Sequence, residues 1–216
     1  MSTTSTLVTA EHFAYLAART RPEPPDLARL RQAAADAGLP RIHIAWEQAS
    51  FMQILLQLSG AKAVLEVGTL GGYSALAMAR ALPAGGVVHT VEHAPKHATF
   101  ARAFLAGSEG GDRVTVHVGA GADVLPLFPD GSFDAMFLDA DKGGYPLYLQ
   151  HALRLLRKGG LFMADNAFAF GQLLDAKPTD REVGAVRAFN DLMAKEQGIH
   201  AVIVPLGDGC WVGVKT

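Results

Sequence analysis

Residues 63–82 read AVLEVGTLGGYSALAMARAL. A short apolar run, AVLEV, breaks at glycines, and the glycines open a helical pattern, GYSALAMARAL. Strand, glycine turn and helix in this order make the first half of a βαβ unit. The alternation continues downstream. VVHTV (87–91) reads as a second strand, followed by a helix over about 95–107. VTVHV (114–118) is a third strand. FDAMFLD (133–139) is a fourth, with a helix over about 145–157. GLFMAD (160–165) is a fifth, with a helix over about 180–197. HAVIVPL and CWVGVK then flank a Gly-Asp-Gly turn at 207–209 and form an antiparallel hairpin. The expectation is an α/β fold: a doubly wound, Rossmann-like, mostly parallel sheet with helices on both faces and a C-terminal antiparallel hairpin.

Upstream of the first strand, residues 7–19, 26–37 and 46–58 each suit a helix. RPEPP (21–25) separates the first two, because proline restricts itself and its predecessor. Ala49, Met52, Gln53 and Leu56 recur at three- and four-residue intervals in the third. The chain reads as one domain over 1–216, in which residues 1–60 form a helical front. No repeat or low-complexity tract interrupts it.

Composition narrows the class. The chain has 216 residues, 50% hydrophobic and 19% charged, with a formal net charge of −2. A near-neutral balance offers no electrostatic grip on nucleic acid or an anionic membrane. No apolar run approaches the roughly 20 residues that span a bilayer. The opening MSTTSTLVTAEHF lacks a signal peptide's basic and apolar regions. Cys210 is the only cysteine, so no internal disulfide forms. These features fit a cytoplasmic protein.

Parallel α/β sheets bind ligands beyond the carboxyl ends of their strands. Those ends carry Glu66 and Gly68, Glu92, Gly119, Asp139, and Asp165 with Asn166. In EVGTLGGYS (66–74), Gly68 is followed by Gly71 and Gly72. That spacing departs from the Gly-x-Gly-x-x-Gly of dinucleotide sites, which argues against an NAD-linked dehydrogenase. Gly68-x-x-x-Gly72 suits a nucleoside whose tail is an amino acid. Glu92 then reads either as the ribose-binding acid or as a solvated helix-start acid. Asp139, Asp165 and Asn166 supply three oxygens and two negative charges, which suits Mg²⁺. Capping of the following helices is the other reading of the same residues.

With LEVGTLGGYS, FLDADKGGY (137–145), ADN (164–166) and VPLGDG (204–209) in view, the sequence resembles the cation-dependent class I S-adenosylmethionine O-methyltransferases. This family includes caffeoyl-coenzyme A and catechol enzymes. The resemblance covers almost the whole chain. It implies a seven-stranded sheet, S-adenosylmethionine as methyl donor and Mg²⁺ or another divalent cation. Glu66, Gly68, Tyr73 and Ser74 would surround the donor's methionine part, with Asp139 beside it. Glu92 would hold the ribose, and Gly119 and Ala120 would flank adenine. Asp139, Asp165 and Asn166 would bind the metal, and Lys142 would be the catalytic base. The acceptor would be a small phenolic or catechol-like hydroxyl compound. The helical front would help form its site and a homodimer contact. A catalytically silent S-adenosylmethionine-binding protein is the competing reading, and the Asp139, Lys142, Asp165 and Asn166 set argues against it.

The match has departures. His43 and Ile44 stand where many relatives carry a Met-Thr pair. Ala169, between Phe168 and Phe170, stands where plant relatives have a pocket tryptophan, so a smaller wall between two phenyl rings is expected. Asp123 follows the third strand as an N-cap or first-turn acid. Asp141 reads as a turn or orienting residue. Tyr145 reads as a residue that packs under the loop or starts the helix.

Overall fold

The computed structural model describes residues 8–216. The start of the helix expected over 7–19 and residues 1–7 of the N-terminal stretch lie outside them. Three helices lead: α1 (Ala10–Ala17), α2 (Pro25–Asp36) and α3 (Trp46–Ser59). The sheet strands are β1 (Ala63–Val67), β2 (Val87–Glu92), β3 (Val114–Val118), β4 (Phe133–Leu138), β5 (Leu156–Ala164), β6 (Ile199–Val204) and β7 (Cys210–Lys215). Between them run α4 (Tyr73–Ala81), α5 (Pro95–Ala106), the short α6 (Gly121–Val124), α7 (Tyr145–Leu155) and α8 (Val183–Met193). The spatial order is β3-β2-β1-β4-β5-β7-β6. β7 runs antiparallel to both neighbours, and the other pairings are parallel.

The central strands read as unbroken apolar runs because both of their faces are covered. Alternation along each strand divides the core in two. Val64, Val88, Phe137 and Met163 face one way, packing with Leu30, Met52, Leu76 and Ala101 from α2, α3, α4 and α5. Leu65, Val91, Met136, Leu138 and Phe162 face the other way, against Tyr145 and Leu149 of α7 and Phe189 and Met193 of α8. No helix among the described residues is long and apolar enough to cross a membrane.

Some boundaries move. β5 begins at Leu156, earlier than the expected 160, because Leu156 pairs with Phe133 before a register shift restores Ala135 opposite Leu161. α7 therefore stops at Leu155. α8 spans only Val183–Met193 of the expected 180–197. Asp180 turns its carboxylate onto the Glu182 N–H at 2.8 Å, which fixes a turn ahead of the helix. Asp123 lies in the first turn of α6, where the preceding Ala120 is the cap residue.

The helical front is tied to the sheet by polar anchors. Trp46 Nε1 donates to the Arg21 carbonyl at 2.6 Å. Tyr73 donates its hydroxyl to Glu23 at 2.5 Å, and Glu23 also pairs with Arg31. Arg80 of α4 pairs with Asp26 of α2. By contrast, α1 buries none of its residues.

One glycine is dictated by backbone crowding. At Gly68 φ is +105°, and a Cβ there would sit 1.9 Å from the Asp139 carbonyl oxygen. The turn after β1 thus passes directly over the end of β4. Gly68→Ala should cost roughly 2–5 kcal/mol, combining overpacking with left-handed strain. Urea denaturation measures this, and a loss within about 0.5 kcal/mol, the range of an ordinary surface change, would contradict the crowding.

Candidate active site

The ends of β1, β2, β3, β4 and β5 open into one cavity of about 740 Å³. Gly68, Tyr73, Ser74, Glu92, Gly119, Asp139, Lys142 and Asn166 all line it. Of the donor-binding residues expected from the resemblance, Glu66 and Ala120 do not. Ala120 yields its place to Gly119 and Gly121 on either side.

Glu66 corrects a sequence expectation. It is fully buried and does not line the cavity. It accepts Ser74 Oγ and Thr90 Oγ1, each at 2.5 Å, and Thr69 Oγ1 lies 2.6 Å from Thr90 Oγ1. Burial pushes its carboxyl up to about 8, against the pull of both hydroxyls. Glu66 therefore supports Ser74 from behind; Ser74 itself faces the cavity.

Glu92 is buried rather than solvated, and it stands at the start of the following helix. Its oxygens accept the Leu70 N–H at 2.7 Å and the Ala94 N–H at 2.8 Å, so it fastens the β1 turn and the start of α5 together. Leu70 holds a left-handed φ of 48° there. The carboxylate still borders the cavity, with lone pairs left for a vicinal diol.

At the other side, β4 and β5 run in parallel register with Leu138 opposite Ala164. Asp139 and Asp165 follow these residues directly. Asp165 is buried, its Oδ1 has no hydrogen-bond partner, and burial together with the Asp139 charge raises its carboxyl well above the usual range. Gln48 Nε2, also buried, lacks a partner as well. Two converging carboxylates with an orphaned oxygen fit a cation bound between them. Among the described residues no three His, Cys, Asp or Glu side chains converge, so the third oxygen must come from an amide. Asn166 supplies it. Its Nδ2 donates to Asp208 at 3.1 Å, which leaves Oδ1 free of that task. Asp208 also accepts the Phe170 and Gly171 N–H groups. Sequence reasoning assigned Asp208 no role beyond its turn, although it is the one acid between the two glycines of that turn.

Lys142 is almost wholly buried. Its Nζ lies 3.2 Å from Asp139 Oδ1 and 2.7 Å from the Tyr145 hydroxyl. That hydroxyl also reaches the Leu138 carbonyl at 3.1 Å. Tyr145 both opens α7 and packs under the loop. Burial, then the charges of Asp139 and Asp165, push its phenol well up. Asp141 accepts the Tyr148 hydroxyl at 2.7 Å, an orienting role as expected. Buried Cys210 has its thiol pushed up to about 12 by burial, which makes it inert packing.

The expected acceptor wall needs revision. Ala169 is fully buried against Val183 and Val186, away from the cavity. Phe168 packs on Gly209. Of these three residues only Phe170 borders the cavity, joined by His43, Ile44 and by Asp180 and Glu182 from the segment before α8. Left-handed φ values at Asn166, Ala169 and Phe170 turn this loop, and sequence alternation gives no sign of them.

Residues 17–216 match the family described as O-methyltransferase. A catechol O-methyltransferase of Niastella koreensis is 41% identical over 184 residues, covering 84% of this chain and 81% of the relative. One from Mycobacterium tuberculosis is 38% identical over 190 residues, covering 88% and 86%. The crystal structure of an O-methyltransferase from Bacillus cereus in complex with SAH superposes with a TM-score of 0.84 at 34% identity, covering 94% of this chain and 96% of that one. With a family match over nearly its full length, the chain belongs to the O-methyltransferase family.

Proposed function

We propose that the chain transfers the methyl group of S-adenosylmethionine to a hydroxyl of a small phenolic, catechol-like acceptor, with a divalent cation, Mg²⁺ first, held by Asp139, Asp165 and Asn166. The observation that carries this reading is the buried Asp165 carboxyl, with its orphaned Oδ1, close to Asp139, while Asp139 and Lys142 stand on the wall of the glycine-turn cavity. The names of the two bacterial relatives and the SAH complex support it.

The donor's amino-acid end fits the Gly68–Ser74 turn, where Glu66 fixes Ser74. Glu92 accepts the ribose hydroxyls. The segment Gly119–Gly121 borders the adenine end. When bound, the cation lowers the acidity constant of an acceptor hydroxyl and orients it. Lys142 takes the proton as general base. Its Nζ is already fixed by Tyr145 and Asp139, so little orientational freedom is lost on reaction. Methyl transfer is an in-line displacement: the S–CH₃ bond breaks as the O–CH₃ bond forms, leaving neutral thioether. A silent binding protein would have no use for a lysine enclosed at this point.

A homodimer in the cytoplasm belongs to the same proposal. Phe13, Tyr15 and Leu16 of α1 are exposed, and α1 buries none of its residues. Light scattering should give twice the 22.8 kDa chain mass, and Leu16→Glu should shift it toward the monomer. A monomeric wild-type protein would refute this contact.

Methyl transfer to catechol should disappear with a chelator and return with excess Mg²⁺; turnover undiminished by chelation would overturn the metal assignment. Lys142→Ala should lower kcat by about 10²–10⁴, the usual scale for a general base. Its Kd for S-adenosylhomocysteine should stay within a few-fold of wild type. Full activity in that variant would remove Lys142 from the mechanism.

A further inference from the structure

Asp208 lies in the turn between β6 and β7, against the loop that follows β5. Its carboxylate takes three donors from that loop. Oδ2 accepts Asn166 Nδ2 at 3.1 Å and the Phe170 N–H at 2.7 Å, and Oδ1 accepts the Gly171 N–H at 3.1 Å. The Asp208 carbonyl accepts the Phe168 N–H at 2.8 Å, and the Gly209 carbonyl accepts the Ala167 N–H at 2.8 Å. Among the described residues no lysine, arginine or histidine pairs with Asp208. Its charge is spent on the loop's N–H donors.

The loop needs such a partner. Asn166, Ala169 and Phe170 hold left-handed φ values of 64°, 54° and 59°. Residues other than glycine keep that conformation only where the surroundings impose it. The turn that carries Asp208 is itself backed on two sides. A Cβ on Gly207 would collide with Gln48 Oε1, and one on Gly209 would sit 2.8 Å from the Phe168 ring. Asn190 Nδ2 also fastens the loop, at the Ala167 carbonyl and 2.9 Å. Among the described residues, however, only Asp208 hydrogen-bonds the Asn166 side chain.

That contact decides which end of the amide is available. An amide donates at its nitrogen and accepts at its oxygen, whereas a carboxylate only accepts. Asn166 must therefore give Asp208 its nitrogen, since the reverse would set oxygen against oxygen. A hard cation needs the oxygen. An acceptor-only side chain at 208 thus selects the amide orientation that a metal ligand requires.

We propose that Asp208 is a positioning residue for Asn166: it fixes the amide so that Oδ1, and not Nδ2, is presented to the cation. The inference rests on the metal reading above. It goes beyond that reading in placing one determinant of metal affinity on the β6–β7 turn.

Binding of Mn²⁺, an ion that also favours oxygen ligands, tests it by electron paramagnetic resonance on the full chain with S-adenosylhomocysteine present. Wild type, Asp208→Ala, Asn166→Ala and the double variant form a cycle. Asp208→Ala should weaken Mn²⁺ binding by about tenfold or more, the scale for losing a partner that orients a metal ligand. In the Asn166→Ala background the same change should cost less than about twofold, because Asp208 acts through that amide. Affinity for S-adenosylhomocysteine, within a few-fold of wild type, checks the fold. Asp208→Asn, which keeps the size but can also donate, replaces alanine in the cycle if the alanine variant does not fold. Its expected loss is about threefold or more, again absent in the Asn166→Ala background. A loss below about threefold would overturn the positioning role. So would an equal loss in both backgrounds, which would show the carboxylate acting by charge at a distance or by general support of the fold. Wild type that binds no Mn²⁺ would instead overturn the metal reading, and the inference with it, before any variant is compared.

Discussion

Two carboxylates that repel each other organise the site. Asp139 and Asp165 are brought together by the register of β4 and β5, where the Asp165 N–H donates to the Leu138 carbonyl and the Asp139 N–H to Val67. The sheet core fixes this register, since a one-residue slip would turn Met136, Leu138 and Phe162 out of their layer. Hydrophobic packing thus holds like charges where electrostatics alone would part them. The neighbours answer that strain. Lys142 places its Nζ against Asp139, Tyr145 holds that nitrogen, and Asp208 accepts the Asn166 Nδ2 donor. Each of these contacts makes sense only with the acidic pair in place.

The opposite wall is organised by buried hydroxyls. The Ser74–Glu66–Thr90–Thr69 chain lies beneath the glycine turn, where a single unsatisfied oxygen would be expensive. It fixes the floor while Glu92 fixes the rim through Leu70 and Ala94. The turn is therefore rigid from both sides before any ligand arrives. Glu23 extends the same logic outward, linking Tyr73 to Arg31 and so joining the helical front to the turn.

Strand order and both faces of the sheet were legible because period-two and period-three-to-four patterns report burial directly. Gly68, Glu92, Asp139 and Asn166 were legible as strand-end residues and Lys142 through the family resemblance, and the structure brings them to one cavity. What stayed hidden depends on side-chain direction and loop conformation. Glu66 ends the same strand as Gly68 but points inward, and nothing in a five-residue apolar run marks that choice. Ala169 looked like a pocket wall by position, yet left-handed residues on the loop rotate it into the core.

The distribution of charge around the cavity bears on the chemistry. In the proposed reaction a sulfonium cation meets an oxygen that has lost its proton, and both charges vanish in the products. Water stabilises the separated ions more than the charge-dispersed transition state, so a cavity walled by Ile44, Val67 and Val91 lowers the barrier by excluding it. Such a wall cannot by itself gather a cation, an anion and a metal. The charged residues must do so from the periphery. Asp139 and Asp165 follow β4 and β5, Glu92 ends β2, and Lys142 stands beside Asp139. Keeping these groups at the strand ends holds the ligands in place and leaves the apolar wall to exclude water.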